Sequence, residues 1–363
     1  MEKLESMNCG LSSLAALIAA AVFVCLPVQA DELCHLRLGV LLPLTGPAST
    51  MGDHFRQSME LAQSELLPEI KERLILKFED TAMNPAKAVS SIKSLIEQDQ
   101  IDLAVVTFAE SVSAVMPIVE RRRITTFTLT PIKSSVSGKK YSFRHWLGSE
   151  SMAPVLVKEI LKKGIRKVGI VFSEHPAMSD FATQFKKVAM ASGVEILIES
   201  SVLPFDTDFR TTAALIASKK PQAIVYFLLP PQISIFAKQV SQFKLPLYSF
   251  INTESLSEIQ AANGSLEGVT YAGTKLDPEF VSKFKRKFNG DYPESYSGNL
   301  YDIVKIIGAA LKANRCNSEE VHDFLETLTS FSGALGTYGV DREHEFNFPV
   351  VLKTISNGDF REM

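Results

Sequence analysis

Few residues of this chain form patterns that support catalytic or cofactor chemistry. The dinucleotide pattern G-x-G-x-x-G and the phosphate-binding pattern G-x-x-x-x-G-K-[ST] are both absent, so no nucleotide-phosphate cradle is predicted. No G-x-S-x-G nucleophile elbow is present either. One S-x-x-K match, at residues 90–93, lies in a predicted helix without its companion motifs, and we attribute it to chance. We therefore predict that the protein is not an enzyme.

The histidines and cysteines show no spacing typical of a metal site. The six histidines include no H-x-x-x-H pair. Beyond the N-terminal thirty residues the only cysteines are Cys34 and Cys316, which lie 282 positions apart rather than at the short spacing of a zinc site. In an oxidising compartment these two cysteines either pair or remain separate thiols. We expect neither a metal nor a cofactor.

An apolar segment near the N-terminus has the features of an export signal. Residues 11–24 read LSSLAALIAAAVFV without a charge, Pro27 follows, and Ala30 ends a run suited to cleavage. This pattern predicts a secretory signal peptide over residues 1–30, removed after Ala30. The alternative is a retained membrane anchor, although the segment is short for a span of about 20 residues.

The composition is typical of a folded chain rather than of a nucleic-acid binder. Its 363 residues are 46% hydrophobic and 22% charged, with a formal net charge of −3. A nucleic-acid-binding surface needs a basic face, so we expect no nucleic-acid partner. The length allows two domains, each able to bury its own core.

Short apolar strands alternate with amphipathic helices along the mature chain. Strands are predicted over 36–42, 74–78, 103–108, 125–130, 167–172, 194–199, 223–229, 246–251, 271–273 and 350–355. Helices are predicted over 53–67 with Asp53 as cap, from Pro85 behind Asn84, over 111–122, near 179–192, from Asp208, from Pro231, and over 278–289, 297–314 and 318–329. This alternation predicts parallel sheets covered by helices on both faces. A longer connection, 131–150, separates two similar runs.

Short motifs occur in a recognisable order over nearly the whole mature chain. They are residues 39–52 (GVLLPLTGPASTMG), Glu79-Asp80, 84–89, Leu95-Ile96, Phe143-Arg144, Tyr301-Asp302, 333–336, 339–341 and 357–360. Together with the export signal, these motifs resemble periplasmic leucine/isoleucine/valine-type solute-binding proteins of ABC transporters. The resemblance implies an α/β fold of two doubly wound parallel-sheet lobes joined by a three-strand hinge, the type I periplasmic binding protein. The implied lobes are 34–143 with 274–332, and 144–273 with 333–363.

The resemblance also implies ligand contacts from loops that follow strand ends. Glu110 and Ser111 follow the third strand and would offer hydroxyl and backbone N–H donors to a ligand carboxylate. Alternatively, Ser111 is the helix N-cap. Thr130, with Ile132 or Ser134 beside it, matches the second carboxylate-binding loop. Alternatively, Thr130 satisfies its own turn.

Further candidates are placed elsewhere in the cleft by the same resemblance. Met178 follows the strand where the family usually has an aromatic residue, and Met51 stands where some amino-acid binders have one. Glu254 would face a ligand ammonium, or would be a solvated surface residue. Phe227 and Trp146 would contact the ligand or pack in the core.

The implied function is capture of a small ligand in the cleft for an ABC permease in the inner membrane. We expect a periplasmic monomer that binds a small carboxylate-bearing ligand, an amino acid or a related compound. The loops after the third and fourth strands are bulkier than is usual in the family, so a different carboxylate or an apolar-tailed ligand stays open beside a branched-chain amino acid. The alternative function is a periplasmic sensor that signals to a membrane receptor.

Overall fold

The structure is a computed structural model that describes residues 34–46, 48–204 and 206–363. The predicted signal peptide, residues 1–30, lies outside the described residues. Across those three ranges, no helix is both long enough and apolar enough to cross a membrane.

The first sheet has five parallel strands. In chain order they are β1 (Leu36–Leu42), β2 (Leu74–Asp80), β3 (Leu103–Thr107), β4 (Thr125–Leu129) and β5 (Ser142–Arg144). Their order across the sheet is β2-β1-β3-β4-β5. The helices between these strands are α1 (Ser49–Ser64), α2 (Pro68–Lys71), α3 (Pro85–Glu97) and α4 (Ala109–Arg122). Every residue of β3 and β4 is buried, as expected for strands covered on both faces.

The second sheet has seven strands. They are β6 (Lys167–Ser173), β7 (Glu195–Val202), β8 (Ala223–Phe227), β9 (Leu247–Phe250), β10 (Thr270–Thr274), β13 (Val350–Ser356) and β14 (Asp359–Glu362). Five of them are parallel in the order β7-β6-β8-β9-β10, which repeats the winding of the first sheet. β13 and β14 extend it antiparallel.

Helices and a hairpin complete the fold. The helices of the second half are α5 (Ser149–Lys162), α6 (Pro176–Ala191), α7 (Arg210–Lys219), α8 (Gln232–Val240), α9 (Leu256–Ala262), α10 (Pro278–Lys287), α11 (Ser297–Lys312) and α12 (Ser318–Glu326). β11 (Phe331–Gly333) and β12 (Gly336–Tyr338) form a separate antiparallel hairpin. Short 3-10 turns cover Lys133–Ser135, Ser241–Phe243 and Ile251–Thr253. The predicted α/β fold of two doubly wound parallel-sheet lobes is confirmed.

The chain crosses between the two sheets three times. It does so between β5 and α5, between β10 and α10, and between α12 and β13, because α5 packs on β10 and β13 while α10 and α12 pack on α1 and β4. Arg144, 1% exposed, joins two of these crossings. Its Nε donates to Glu345 Oε2 at 2.6 Å and its Nη2 to Glu150 Oε1 at 2.5 Å.

Capping at two helix starts departs from the sequence prediction, and at one it does not. Asn84 Oδ1 accepts from the backbone N–H groups of Ala86 and Lys87 at the start of α3, as predicted. The predicted cap at Asp53 is wrong, since α1 already begins at Ser49 and has no side-chain cap. Ser111 as N-cap is also wrong. The cap position of α4 is Phe108, at φ 68°, which leaves Ser111 inside the first turn.

A disulfide joins Cys34 to Cys316, with the two Cα atoms 5.5 Å apart. Cys34 lies just before β1, and Cys316 lies between α11 and α12. Arg73, which immediately precedes β2, lies next to the disulfide. Its Nε donates to the carbonyl oxygen of Cys34 at 2.9 Å. The disulfide therefore ties the start of β1 to the segment that follows the C-terminal end of α11.

Candidate functional site

A cavity of about 120 Å³ lies where the carboxyl ends of both sheets meet. In each sheet the strand order reverses once, between β1 and β3 and between β6 and β8. Ligands of open parallel sheets bind outside the carboxyl ends of strands at such reversals. Residues that follow β3, β6 and β8 line the cavity: Phe108, Ala109, His175, Leu228, Leu229 and Pro230.

The walls of the cavity are mostly apolar, and they include several aromatic and thioether side chains. Trp146 stacks on Tyr296 with ring centroids 3.9 Å apart and 16° between the ring planes. Met51 and Met178 line the cavity from α1 and α6, and thioethers adapt to irregular apolar shapes. The site is suited to an apolar ligand body with a flat face.

Two buried donors in this stack have no protein partner. Trp146 Nε1 and the Tyr296 hydroxyl are both buried and make no hydrogen bond among the described residues. Burial raises the pKa of Tyr296 well above its usual value, and the negative charge of Glu254 adds to this, so the hydroxyl keeps its proton. A buried donor without an acceptor is costly. A ligand with an acceptor oxygen would satisfy it.

Glu254 reaches the cavity but is already paired. Its side chain is 5% exposed, so it is not a solvated surface residue. Its Oε1 accepts from Lys353 Nζ at 2.5 Å and from the Tyr271 hydroxyl at 2.9 Å. Lys353 is likewise 5% exposed. The carboxylate therefore enters the site with its charge largely balanced.

Glu294 is a second carboxyl group in the cavity wall. Burial raises its pKa to about 7, and the negative charges of Glu258 and Glu254 act in the same direction. Glu258 itself is buried and accepts from the backbone N–H of Ser234 at 2.7 Å. Near neutral pH, Glu294 is thus divided between a protonated donor form and a charged acceptor form.

Three helix N-termini open onto the cavity. Ala109 begins α4, Ala177 and Met178 lie in the first turn of α6, and Tyr296 precedes α11. Free backbone N–H groups and the helix dipole favour an anion at such positions. The arrangement can therefore hold a carboxylate without a positively charged side chain.

Glu110 and His175 meet at the edge of the cavity from opposite sheets. Glu110 Oε1 lies 3.7 Å from His175 Nε2, and His175 Nδ1 accepts from the backbone N–H of Ala177 at 3.3 Å. Burial lowers the pKa of His175, while the charge of Glu110 opposes this shift. The pair is a contact between the two lobes.

The structure brings four of the predicted ligand-binding residues together. Met51, Trp146, Met178 and Glu254 line the cavity. The other predicted residues lie outside its lining: Glu110, Ser111, Thr130, Ser134 and Phe227.

The side chains outside the lining have other surroundings. Ser111 is buried with an unpartnered Oγ, and Thr130 Oγ1 accepts from the backbone N–H of Ile132 at 3.1 Å. Ser134 is exposed. Phe227 is fully buried and packs on Phe250, with ring centroids 4.8 Å apart.

Sequence reasoning missed several lining residues, above all Tyr296, Glu294 and His175. Two of them precede α11, and His175 precedes α6. The rule that selected the start of α4, a loop that follows a strand end, would also have selected His175 after β6, but not the segment before α11, which follows α10.

Comparisons with known proteins agree with this architecture and confirm the resemblance read from the motifs. The chain matches the periplasmic binding protein family over residues 35–358. It is 23% identical over 343 residues to the Leu/Ile/Val-binding protein BraC3 of Rhizobium johnstonii, covering 90% of this chain and 92% of that protein.

Solved structures share the fold at low sequence identity. LivJ of Streptococcus pneumoniae in complex with isoleucine has a TM-score of 0.80 at 17% identity, covering 91% of this chain and 99% of that one. A solute-binding protein of R. palustris in complex with benzoate has a TM-score of 0.78 at 19% identity, covering 91% and 95%. With the family match spanning nearly all of the described residues, the chain belongs to the periplasmic binding protein family.

Proposed function

We propose that the protein is the periplasmic solute-binding component of an ABC importer. It captures a small carboxylate-bearing ligand, an amino acid or a related compound, and delivers it as a monomer to a permease in the inner membrane. Residues 1–30 direct its export. Its proposed lobes comprise 34–143 with 274–332, and 144–273 with 333–363. The strands of the first sheet come from 36–144, and those of the second from 167–274 and 350–362, which supports this division apart from single residues at the bounds.

One observation carries this proposal: an apolar cavity between the strand ends of two sheets, with unpartnered donors and helix N-termini at its wall. Pockets of this type, apolar with a few placed polar groups, are typical of small-molecule sites. An engineered cavity of about 150 Å³ holds benzene, so a cavity of about 120 Å³ suits one ring or one branched aliphatic chain.

The charges in the wall bear on which carboxylate binds. An amino acid also presents an ammonium group, which needs an anionic partner, whereas Glu254 is balanced by Lys353. Glu294 is only partly ionised near neutral pH. These features favour a carboxylate without an ammonium group, such as the benzoate bound by the R. palustris relative, over the isoleucine bound by LivJ.

Binding to purified residues 31–363 tests the proposal. The ligands are matched pairs that differ in the ammonium group, leucine with 4-methylpentanoate and phenylalanine with 3-phenylpropanoate, together with benzoate. A ligand present at about 100 times its Kd stabilises the folded state by about 2.7 kcal/mol, which a thermal shift detects. If no small carboxylate raises Tm, the proposed function fails.

The variant Tyr296→Phe locates the binding site. Loss of the hydroxyl should weaken binding of the identified carboxylate by about 3- to 10-fold, the range expected for one hydrogen bond. The ligand-free protein should be no less stable, because the hydroxyl has no partner there. Ser134→Ala, at an exposed position outside the cavity, is the matched control. Unchanged affinity in Tyr296→Phe would place the ligand elsewhere.

A further inference from the structure

A second group of ligating side chains lies away from the cavity, where α12 meets the segment between β12 and β13. His322 and Glu326 are four residues apart on α12, and His344 belongs to that segment. Glu326 Oε1 is 3.5 Å from His344 Nε2 and 3.9 Å from His322 Nε2. One ligand atom from each residue lies within 4.8 Å of the other two.

These separations are close to those around a tetrahedral metal ion. Ligand atoms about 2.1 Å from such an ion lie about 3.4 Å from one another. Two imidazoles and one carboxylate are a donor set that zinc and related divalent ions use, with open positions filled by water. The separations of Glu326 Oε1 from the two imidazole nitrogens, 3.5 and 3.9 Å, are near this value, and the three ligand atoms all lie within 4.8 Å of one another.

The surroundings hold the two imidazoles in place. His344, at φ 60°, stacks on Phe143 with ring centroids 4.3 Å apart and 15° between planes. His322 is 2% exposed, and its Nδ1 lies 3.3 Å from Asp323 Oδ1. A carboxylate at the far ring nitrogen is the usual outer partner of a ligating histidine, because it fixes the ring and its tautomer.

The group of three side chains is open to solvent on one side and has a backbone carbonyl oxygen next to it. Glu326 is 50% exposed, so an ion can enter from solvent on that side. The carbonyl oxygen of Lys140 lies 3.1 Å from His322 Nε2, which places another hard donor beside the group. The tautomer with its hydrogen on Nδ1, beside Asp323, leaves the lone pair of Nε2 for the ion.

We propose that His322, Glu326 and His344 bind one divalent transition-metal ion of the zinc type. The ion joins α12, which packs on β4 of the first sheet, to the segment that carries Glu345. Glu345 is the partner of Arg144 at the crossing after β5. The site therefore ties the third crossing to the first lobe near the buried arginine, and none of its three residues lines the ligand cavity.

Calorimetric titration of the purified protein with Zn²⁺ at about pH 7.5, after removal of metals with a chelator, tests this proposal. We expect one ion per chain and at least about 10-fold weaker binding in Glu326→Gln and in His344→Ala. Mg²⁺, which prefers oxygen ligands, should not compete.

The matched control is His35→Ala, which removes an exposed histidine at the start of β1 and should bind zinc like the unchanged protein. Circular dichroism and Tm of each metal-free variant establish that it is folded. Absence of zinc binding, zinc binding unaffected by both site variants, or equal competition by Mg²⁺ would each overturn the proposal.

Discussion

Glu254 and Lys353 form a buried ion pair next to the ligand cavity. Each residue neutralises the buried charge of the other. The two groups are 2.5 Å apart, and each residue is 5% exposed. Removing one member leaves an uncompensated charge in a low-dielectric environment. Replacing both members leaves none.

The variant Lys353→Met should lower the free energy of unfolding by about 3–5 kcal/mol. The double variant Lys353→Met with Glu254→Gln should recover most of this loss, since no buried charge remains. Urea unfolding of the three proteins measures both effects. A loss below about 1 kcal/mol in the single variant, or additive losses in the double variant, would contradict the pairing.

Glu294 should make stability depend on pH. Its folded-state pKa is about 7, whereas an unfolded glutamate titrates near about 4.3. Between these values the folded protein keeps a proton that the unfolded chain has released, so stability falls as pH rises through this window. The group therefore favours the folded state most at low pH and least above about pH 7.

The variant Glu294→Gln isolates this contribution. The decrease in Tm from about pH 5 to about pH 7.5 should be smaller in the variant than in the unchanged protein. Asp302, whose pKa is raised to about 6 by burial, is present in both proteins, so its effect cancels in the comparison. Identical pH profiles would show that Glu294 ionises normally.

At the scale of elements, strand–helix alternation predicted most strands of the two sheets, whereas several short elements and the ends of longer ones were not predicted. The apolar runs that predict β1 to β4 and β6 to β10 are long enough to be unambiguous, whereas the three-residue β5 was not predicted. Helix starts depend on cap chemistry. α5 was missed because Gly148 at its cap position makes no side-chain cap bond and Pro154 lies inside the helix. Proline normally signals a helix boundary, so the local sequence argued against this element.

The positions of loops relative to strands explain which site residues could be predicted from the sequence. A sequence identifies the loops that follow parallel strands, and the resemblance to the family supplied the four predicted residues that line the cavity. It does not fix where each side chain in a loop points. Phe227, the last residue of β8, is buried in the core, whereas Leu228, one position later, lines the cavity. Adjacent residues of an extended chain face opposite sides.

The contact between α11 and the β11–β12 hairpin gives a test at this scale. Asp302 accepts from the backbone N–H groups of Ala334 at 2.7 Å and Leu335 at 3.1 Å, and from the Tyr338 hydroxyl at 2.8 Å. A Cβ at Gly333 would collide with the Asp302 carboxylate. The motifs at 301–302 and 333–336 are thus two halves of one contact.

The variant Gly333→Ala should therefore lower the free energy of unfolding by about 1–3 kcal/mol through overpacking and lost hydrogen bonds. Gly273→Ala is the control, because its Cβ would meet Ile251 at an ordinary 3.4 Å. Chemical denaturation compares the two variants. Equal decreases in the free energy of unfolding in both variants would mean that the hairpin accommodates the added methyl group without strain.

At the scale of the whole molecule, the length allows two domains but does not indicate how the chain is divided between them. The second sheet takes strands from separate stretches of sequence, since β13 and β14 join it after the chain has returned to the helices of the first lobe. Local sequence patterns carry no information on which sheet a late strand joins. The order of motifs over the whole chain supplied it, through the resemblance to a known family. Likewise, His322 and His344 are 22 positions apart in the sequence, and no short motif indicates that they lie close together in the structure.

The disulfide should stabilise the whole molecule. Because Cys34 and Cys316 join distant parts of the chain, the bond restricts the unfolded state over a long loop. The double variant Cys34→Ser with Cys316→Ser should lose about 2–4 kcal/mol of unfolding free energy. Guanidinium unfolding under non-reducing conditions measures this loss. If reduction of the unchanged protein had no effect on the midpoint, the bond would not contribute.

The same bond divides the chain into a covalent ring and a free tail. The ring runs from Cys34 to Cys316 and contains every strand from β1 to β10, with two of the three crossings. A protease that cuts either lobe once inside the ring leaves the pieces tethered until the bond is reduced. The tail, with α12, the hairpin, β13 and β14, has no such tether. A single cut in the third crossing would leave the outer strands of the second sheet held by hydrogen bonds and packing alone.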